Sequence, residues 1–233
     1  GSPYFNINSS YTVNAASPIT GNVNFAGETS DTGSQGTRLK DASILTVVKN
    51  AIGAGKLPKD ANGVYLVLTS SNVTTTSGFC TRYCGWHTYT TISSTTVKYS
   101  FVGNAAGPSL GNCAGQTAAS PNNDLGADAM VSVIAHELEE TATDPQGTGW
   151  YDSTGAENGD KCAWNFGTVY QLSNSSYANM KLGSRDFLIQ QNWLNANGGL
   201  CTLSYVPTPD FSVSVSGSQA ISQGATSQNY TLT

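Results

Sequence analysis

An α/β fold of the α+β kind, with a mixed twisted sheet and one ligand-bearing helix, is what this sequence predicts, and three observations predict it. Apolar residues recur at helical spacing over 39–54 and again over 125–144. Between these segments lie short runs of β-branched and aromatic residues bounded by Gly, Asn and Ser. A hydrophobic content of 38% in 233 residues, with seven Phe and four Trp, is enough apolar side chain for one full core.

Residues 11–30 alternate loosely around Val13, Ile19, Val23 and Phe25, and read as irregular strands. From Leu39 to Ala54, Ile44, Leu45, Val47, Val48, Ala51 and Ile52 form the stripe of an amphipathic helix that stops at Gly53 and Gly55. Val64–Leu68 is short, continuous and β-branched, the pattern of a central strand buried on both faces. Two more strands follow at Thr88–Ile92 and Val97–Val102, then a Gly/Asn/Pro-rich loop from Gly103 to Asn123. Asp124 caps the second helix, and Pro145 ends it by disfavouring helix at Asp144. On a helical wheel, Met130, Val131, Ile134, Ala135, Leu138 and Ala142 form the core stripe, while His136, Glu137 and Glu140 lie opposite with Val133 and Asp144, facing a cleft. A loop from Trp150 to Cys162 comes next, and Phe187, Leu188, Gln191 and Leu194 suggest a last helix over Asp186–Asn195. One domain therefore covers 3–206. Residues 207–233 read as a Pro-rich linker and a short β tail, the truncated start of an immunoglobulin-like repeat, because Phe211, Val213 and Val215 alternate with period two.

The stretch His136-Glu137-Leu138-Glu139-Glu140 carries the chemistry. A zinc hydrolase needs two ligands on successive turns of a helix and a neighbouring carboxylate to deprotonate the metal-bound water, the logic of H-E-x-x-H. Here Glu140 takes the place of the second His, and carboxylate oxygen is an acceptable, harder zinc ligand. The bland reading is an i,i+4 pair on a wet surface, with Glu137 and Glu139 as solubilising charge. Against it, only 11% of the chain is charged and only two His occur, yet three of 15 acidic residues stand in this one turn.

A third ligand is required. Glu157 is the first choice, with Asp160 as its substitute or as an acceptor orienting His136. His87 completes the site or polarises the scissile carbonyl, and Tyr151 is a candidate oxyanion stabiliser. Helix, strands, then a ligand-bearing helix is the element order of zincin-like peptidases, in which the sheet edge takes substrate as an added strand.

Ten basic residues against 15 acidic ones give a net charge of −5 with no basic cluster, which argues against nucleic acid as a partner. No long apolar run marks a membrane span or signal peptide, and Gly1-Ser2 reads as a cloning scar, with a native leader removed. Abundant Ser, Thr, Asn and Gly and five Cys fit a secreted monomer, with Cys80 pairing Cys84, Cys162 pairing Cys201, and Cys113 left over.

Several segments together resemble one family: Asn62–Ser71, Gly78-Phe79-Cys80 with Cys84-Gly85 and His87, Phe101–Asn104, Val131–Glu137 with Glu140, Trp150-Tyr151, Glu157 with Asp160 and Cys162, and Phe187–Gln190 with Trp193 and Cys201. The family is that of the EXORDIUM or phosphate-induced proteins of plants, which have bacterial relatives. The resemblance implies an extracellular or cell-wall protein, linked in plants to growth and brassinosteroid response, without a defined biochemical activity. It also implies that His87, His136, Glu137, Glu140 and Glu157 fall where the family's motif carries the same residue types. Asp144 departs from the family's Asn, and Thr117 stands where the family has a cysteine partner for Cys113, which supports Cys113 as a stray thiol. The tail resembles repeats appended to secreted bacterial enzymes, so a bacterial source is expected.

The function expected from these readings is a secreted, metal-dependent hydrolase, a zinc endopeptidase acting on peptide or protein substrates. His136, Glu140 and Glu157 hold the zinc, Glu137 is the general base, and His87 or Tyr151 assists. One alternative is a non-catalytic extracellular binding protein with structural zinc or calcium. The other is a glycan-active enzyme pairing Glu137 or Glu140 with Asp144.

Overall fold

The structure, a computed structural model, describes residues 2–13 and 17–207. A 3₁₀ helix at Phe5–Ser10 leads into a two-residue pairing of β1 (Thr12–Val13) with β2 (Ser17–Pro18). The chain then runs without regular structure to β3 (Arg38–Leu39), α1 (Asp41–Gly53), β4 (Val64–Leu68) and β5 (Thr74–Thr75). β6 (Gly85–Ile92) and β7 (Thr95–Val102) form a hairpin, and α2 (Leu125–Thr143) follows a long loop. The last third consists of short strands: β8 (Tyr170–Gln171), β9 (Tyr177–Ala178), β10 (Met180–Leu182), β11 (Arg185–Phe187), β12 (Asn192–Leu194) and β13 (Leu200–Thr202). This is a mixed α+β architecture. Residues 208–233, including the expected β tail, lie outside the described residues.

The main sheet has the order β4-β7-β6, parallel between β4 and β7 and antiparallel between β7 and β6. Strand alternation then assigns its two faces. Val97, Tyr99 and Phe101 of β7 point to one side and join Leu39, Ile44 and Val48 in a core with α1. Val102 points to the other side and packs on Met130 and Val133 of α2. The β6–β7 register places Trp86 opposite Phe101 and His87 opposite Ser100. Trp86 accordingly stacks on Phe101 in the α1 core, and His87, one residue on, is delivered to the α2 face.

Four expectations are corrected by these elements. β4 is an edge of the sheet and β7 is its centre, because β7 is covered on both faces while Leu68 of β4 is 51% exposed. The expected helix over 186–195 is instead β11, an extended segment and β12. Asn197, Gly198 and Gly199 all take positive φ and turn β12 back onto β13, so the segment closes as a hairpin. Of the irregular strands over 11–30, only β1 and β2 form among the described residues, and Phe25 is exposed. The buried surface of α2 is polar: Glu137 and Glu140 on one side and Glu139 on the other are buried, whereas Leu138 and Ala135 are only half-buried.

The cysteine pairing also differs. Cys84 bonds Cys113, Cys162 bonds Cys201, and Cys80 is the free, buried thiol. Cys80 adopts a positive φ and its N–H donates to the Tyr83 carbonyl, closing a turn from which Cys84 enters β6 beside the 110–112 turn. Cys162–Cys201 spans 39 residues of sequence and ties the loop after α2 to β13. Replacing both by Ser is expected to cost about 4 kcal/mol by loop-closure entropy, measured by urea unfolding. Replacing Cys80 by Ala should leave both bridges intact in a non-reducing peptide map.

Candidate metal centre

α2 owes its start to Asp124, whose side chain accepts from the Ala127 N–H at 2.9 Å. Four turns on, it presents His136, Glu137 and Glu140 to the underside of β6 and to the returning loop 157–160. That loop is held by Asn158, which is fully buried. Its carbonyl oxygen accepts from Trp193 N–H at 3.1 Å, and its side-chain oxygen accepts from Thr143 Oγ1 at 3.1 Å. No sequence signal singles out Asn158, since Asn in a Gly-rich turn is ordinary.

Two imidazoles and a ring of carboxylates converge. His136 Nε2 stands 2.9 Å from Glu140 Oε1 and 3.6 Å from Asp160 Oδ1. His87 Nδ1 stands 3.5 Å from Glu137 Oε2 and 3.6 Å from Glu140 Oε2, while its Nε2 faces Glu157 Oε1 at 3.6 Å. The loop returns Asp160 to His136, and Glu157, the first choice for third ligand, lies beyond His87. Three sets of side chains bring ligand atoms within 4.8 Å of one another: His136 with Glu140 and Asp160, His87 with Glu137 and Glu140, and His87 with Asp144 and Glu157.

These residues fit a divalent cation on three counts. A tetrahedral ion with bonds of about 2.0–2.2 Å spaces its ligand atoms roughly 3.3–3.6 Å apart, which matches the 3.5 and 3.6 Å separations here, while His136 and Glu140 at 2.9 Å stand in direct hydrogen-bond contact. Glu137 Oε2 and Glu157 Oε1 are buried without a hydrogen-bond partner, an arrangement that costs free energy unless a cation or proton answers it. The two glycines beside the site leave room only for what is there. A Cβ at Gly159 would come within 2.8 Å of Glu140 Oε1 and 3.0 Å of His136 Nδ1. One at Gly85 would come within 2.7 Å of Glu137 Oε1. Gly159 has helical dihedrals that any residue can adopt, so its requirement is purely steric. Gly159→Ala is expected to weaken zinc binding at least tenfold, read by competition with a chromogenic chelator, with little change in the circular dichroism spectrum.

The electrostatics show a site dominated by negative charge. Burial would lower the pKa of His87, but Glu137, Glu140 and Glu157 outweigh it and push it up to about 10. His136 is likewise raised, Asp160 and Glu140 overcoming its desolvation. Burial favours the neutral acid at Glu140, yet His136 and His87 hold it down to about 2. Glu137 is raised chiefly by burial, and Glu157 is pushed up to about 8 by burial and by the Glu140 charge. Protonated imidazoles thus supply positive charge that the acids, which outnumber them, demand.

Asp144 and Tyr151 are engaged with each other. Asp144 is buried, its Oδ1 accepting from the Thr148 and Gly149 N–H groups at 2.7 and 2.6 Å and its Oδ2 from the Tyr151 hydroxyl. Asp144 therefore organises the loop after α2. The bond to Asp144, with burial, holds the Tyr151 phenol well above its ordinary pKa. The same cleft, about 290 Å³, is lined by Gly85 to Tyr89 of β6. Glu139 is not solubilising charge. It is 1% exposed on the opposite side of α2 and accepts from Asn192 Nδ2 at 3.0 Å.

Comparison with known proteins places the chain. The model of the family described as phosphate-induced protein 1 conserved region matches residues 2–201. Protein EXORDIUM-like 3 of Arabidopsis thaliana is 37% identical over 213 residues, covering 78% of this chain and 63% of that protein. Protein EXORDIUM-like 5 of Arabidopsis thaliana is 34% identical over 223 residues, covering 82% of this chain and 61% of that protein. Protein PHOSPHATE-INDUCED 1 of Nicotiana tabacum is 37% identical over 109 residues, 40% of this chain and 34% of that protein. The chain thus spans less than two thirds of these relatives' length. No solved structure matches it significantly. These relatives are plant proteins and give the expected bacterial source no support. With nearly its whole described length matched, the chain belongs to the phosphate-induced protein 1 family, the one its motifs resemble.

Proposed function

We propose that the chain is a secreted, metal-dependent hydrolase of the zincin-like kind, acting on peptide or protein substrates, with His136, Glu140 and Asp160 holding the cation. The observation that supports it most is the convergence of His136, Glu140 and Asp160 in an open cleft, with the buried carboxylate of Glu137 beside them. Imidazole nitrogen in the donor set favours zinc over calcium. A zinc ion held there would act as a Lewis acid on a carbonyl and make water easier to deprotonate. Glu137 accepts the proton of the attacking water and returns it to the leaving amine. Its burial raises its basicity. His87, rather than the engaged Tyr151, lines the cleft beside Glu137 and Glu140 and supplies positive charge near the carbonyl oxygen as that atom gains charge.

β6 pairs with β7 on one side only among the described residues, so its free edge along the cleft can take an extended peptide as an added strand. Two disulfides fit an oxidising compartment, and among the described residues no helix is long and apolar enough to cross a membrane. One observation favours a second reading, a non-catalytic extracellular binding protein with a structural ion. The Asp160 N–H donates to Glu140 Oε1 at 3.1 Å, so a cation there would also staple the loop to α2. Digestion of a mixed peptide library separates the two readings. Cleavage that chelator abolishes and zinc restores is expected, whereas zinc bound without any cleavage would favour the binding protein.

A further inference from the structure

We propose that the centre takes a second divalent transition-metal ion on the sheet side of Glu140, with His87 Nδ1, Glu137 and Glu140 as its ligands and Glu140 shared between the two positions. The inference rests on the reading of the first position given above. Its basis is that the two Glu140 oxygens face different imidazoles: Oε1 lies 2.9 Å from His136 Nε2, and Oε2 lies 3.6 Å from His87 Nδ1. A carboxylate so placed is a natural bridge between two ions.

The second position has its own buried ligand oxygen that accepts no hydrogen bond. Glu137 is 4% exposed, and its Oε2, 3.5 Å from His87 Nδ1, has no hydrogen-bond partner. Gly85 lets this carboxylate pack directly against the β6 backbone, since a Cβ there would come within 2.7 Å of Glu137 Oε1. The far side of the ring is also provided for. His87 Nε2 faces Glu157 Oε1 at 3.6 Å, and that oxygen lacks a partner as well. An imidazole that binds metal through one nitrogen commonly gives its other N–H to a carboxylate, which fixes its orientation. This assigns Glu157 a role as the acceptor behind a ligand. Strand β6 holds the ring in place, since His87 is locked in register with Ser100.

Filling the second position engages Glu137 Oε2, the proton acceptor of the proposed reaction. The first ion therefore activates and the second inhibits.

The test is binding stoichiometry of the full chain, stripped with chelator and titrated with Co²⁺ under equilibrium dialysis, folding being checked by circular dichroism. Two ions per wild-type chain are expected, with one lost in H87Q and one lost in H136Q. A wild type that saturates at one ion, retained in H87Q and lost in H136Q, overturns the second position and leaves the single-cation reading standing. No binding to folded wild type removes both. An H87Q variant that still binds two ions overturns the ligand set. Should either variant fail to fold, paramagnetic resonance of the wild type decides. Bridged ions couple, so the signal of the first equivalent should fall as the second is added, and a signal that simply doubles would overturn the bridge.

Discussion

Replacing Glu137 by Gln is expected to lower kcat/KM by roughly 10²–10⁴-fold, the usual worth of a positioned general base. The change is isosteric, keeps the packing against Gly85 and Val133, and removes only the capacity to accept a proton. Glu137 does not belong to the His136, Glu140 and Asp160 set, so zinc at that position should survive. Elemental analysis of E137Q beside its kinetics therefore gives a sharp reading. One retained zinc with lost turnover fits the assignment, and full turnover with that zinc in place would assign the proton to another group. E140Q should behave differently, losing zinc and turnover together, because Glu140 contacts both imidazoles.

The second large effect concerns stability. Glu139 is buried beside Asn192, and desolvation pushes its carboxyl up to about 8 despite the hydrogen bond from Asn192 Nδ2. An acid whose folded pKa lies above its unfolded value stabilises the fold fully below the unfolded value, near 4.5. That contribution declines as the pH rises and is gone above about 8. At about 1.4 kcal/mol per pH unit, the loss across that interval approaches about 5 kcal/mol. Other groups titrate in the same range, Glu157 among them. The quantity to compare is the difference between wild type and E139Q, whose amide needs no proton to stay neutral. Urea unfolding at pH 5 and pH 8 should show E139Q gaining several kcal/mol on the wild type at the higher pH. Parallel curves would mean that Glu139 titrates normally in a solvated setting.

Much of this arrangement is legible in the sequence, and the limits have physical causes. α1 is marked by its apolar periodicity and α2 by the Asp124 cap and the Pro145 stop, and both form as read. The inward face of α2 is hidden because three glutamates in one turn suggest solvent, whereas here each is buried against a partner distant in sequence. His87 is legible as a site residue once β6 is aligned on β7, since alternation separates it from Trp86 in the core. Asp160 and Glu157 stand three residues apart on one loop, and the pairing of each with a different imidazole depends on how Asn158 ties that loop to α2. The cysteine pairing and the late hairpin depend on positive-φ turns at Cys80 and at Asn197 to Gly199, which periodicity does not reveal.

A cation gripped between α2 and the loop that follows it is what the proposed chemistry requires. Anomalous diffraction at the zinc edge, from crystals of protein purified and grown without added metal, tests it most directly. A peak within bonding distance of His136 Nε2, a Glu140 oxygen and an Asp160 oxygen is the expected result. A map with no peak there, and with those side chains turned apart into solvent, would contradict it.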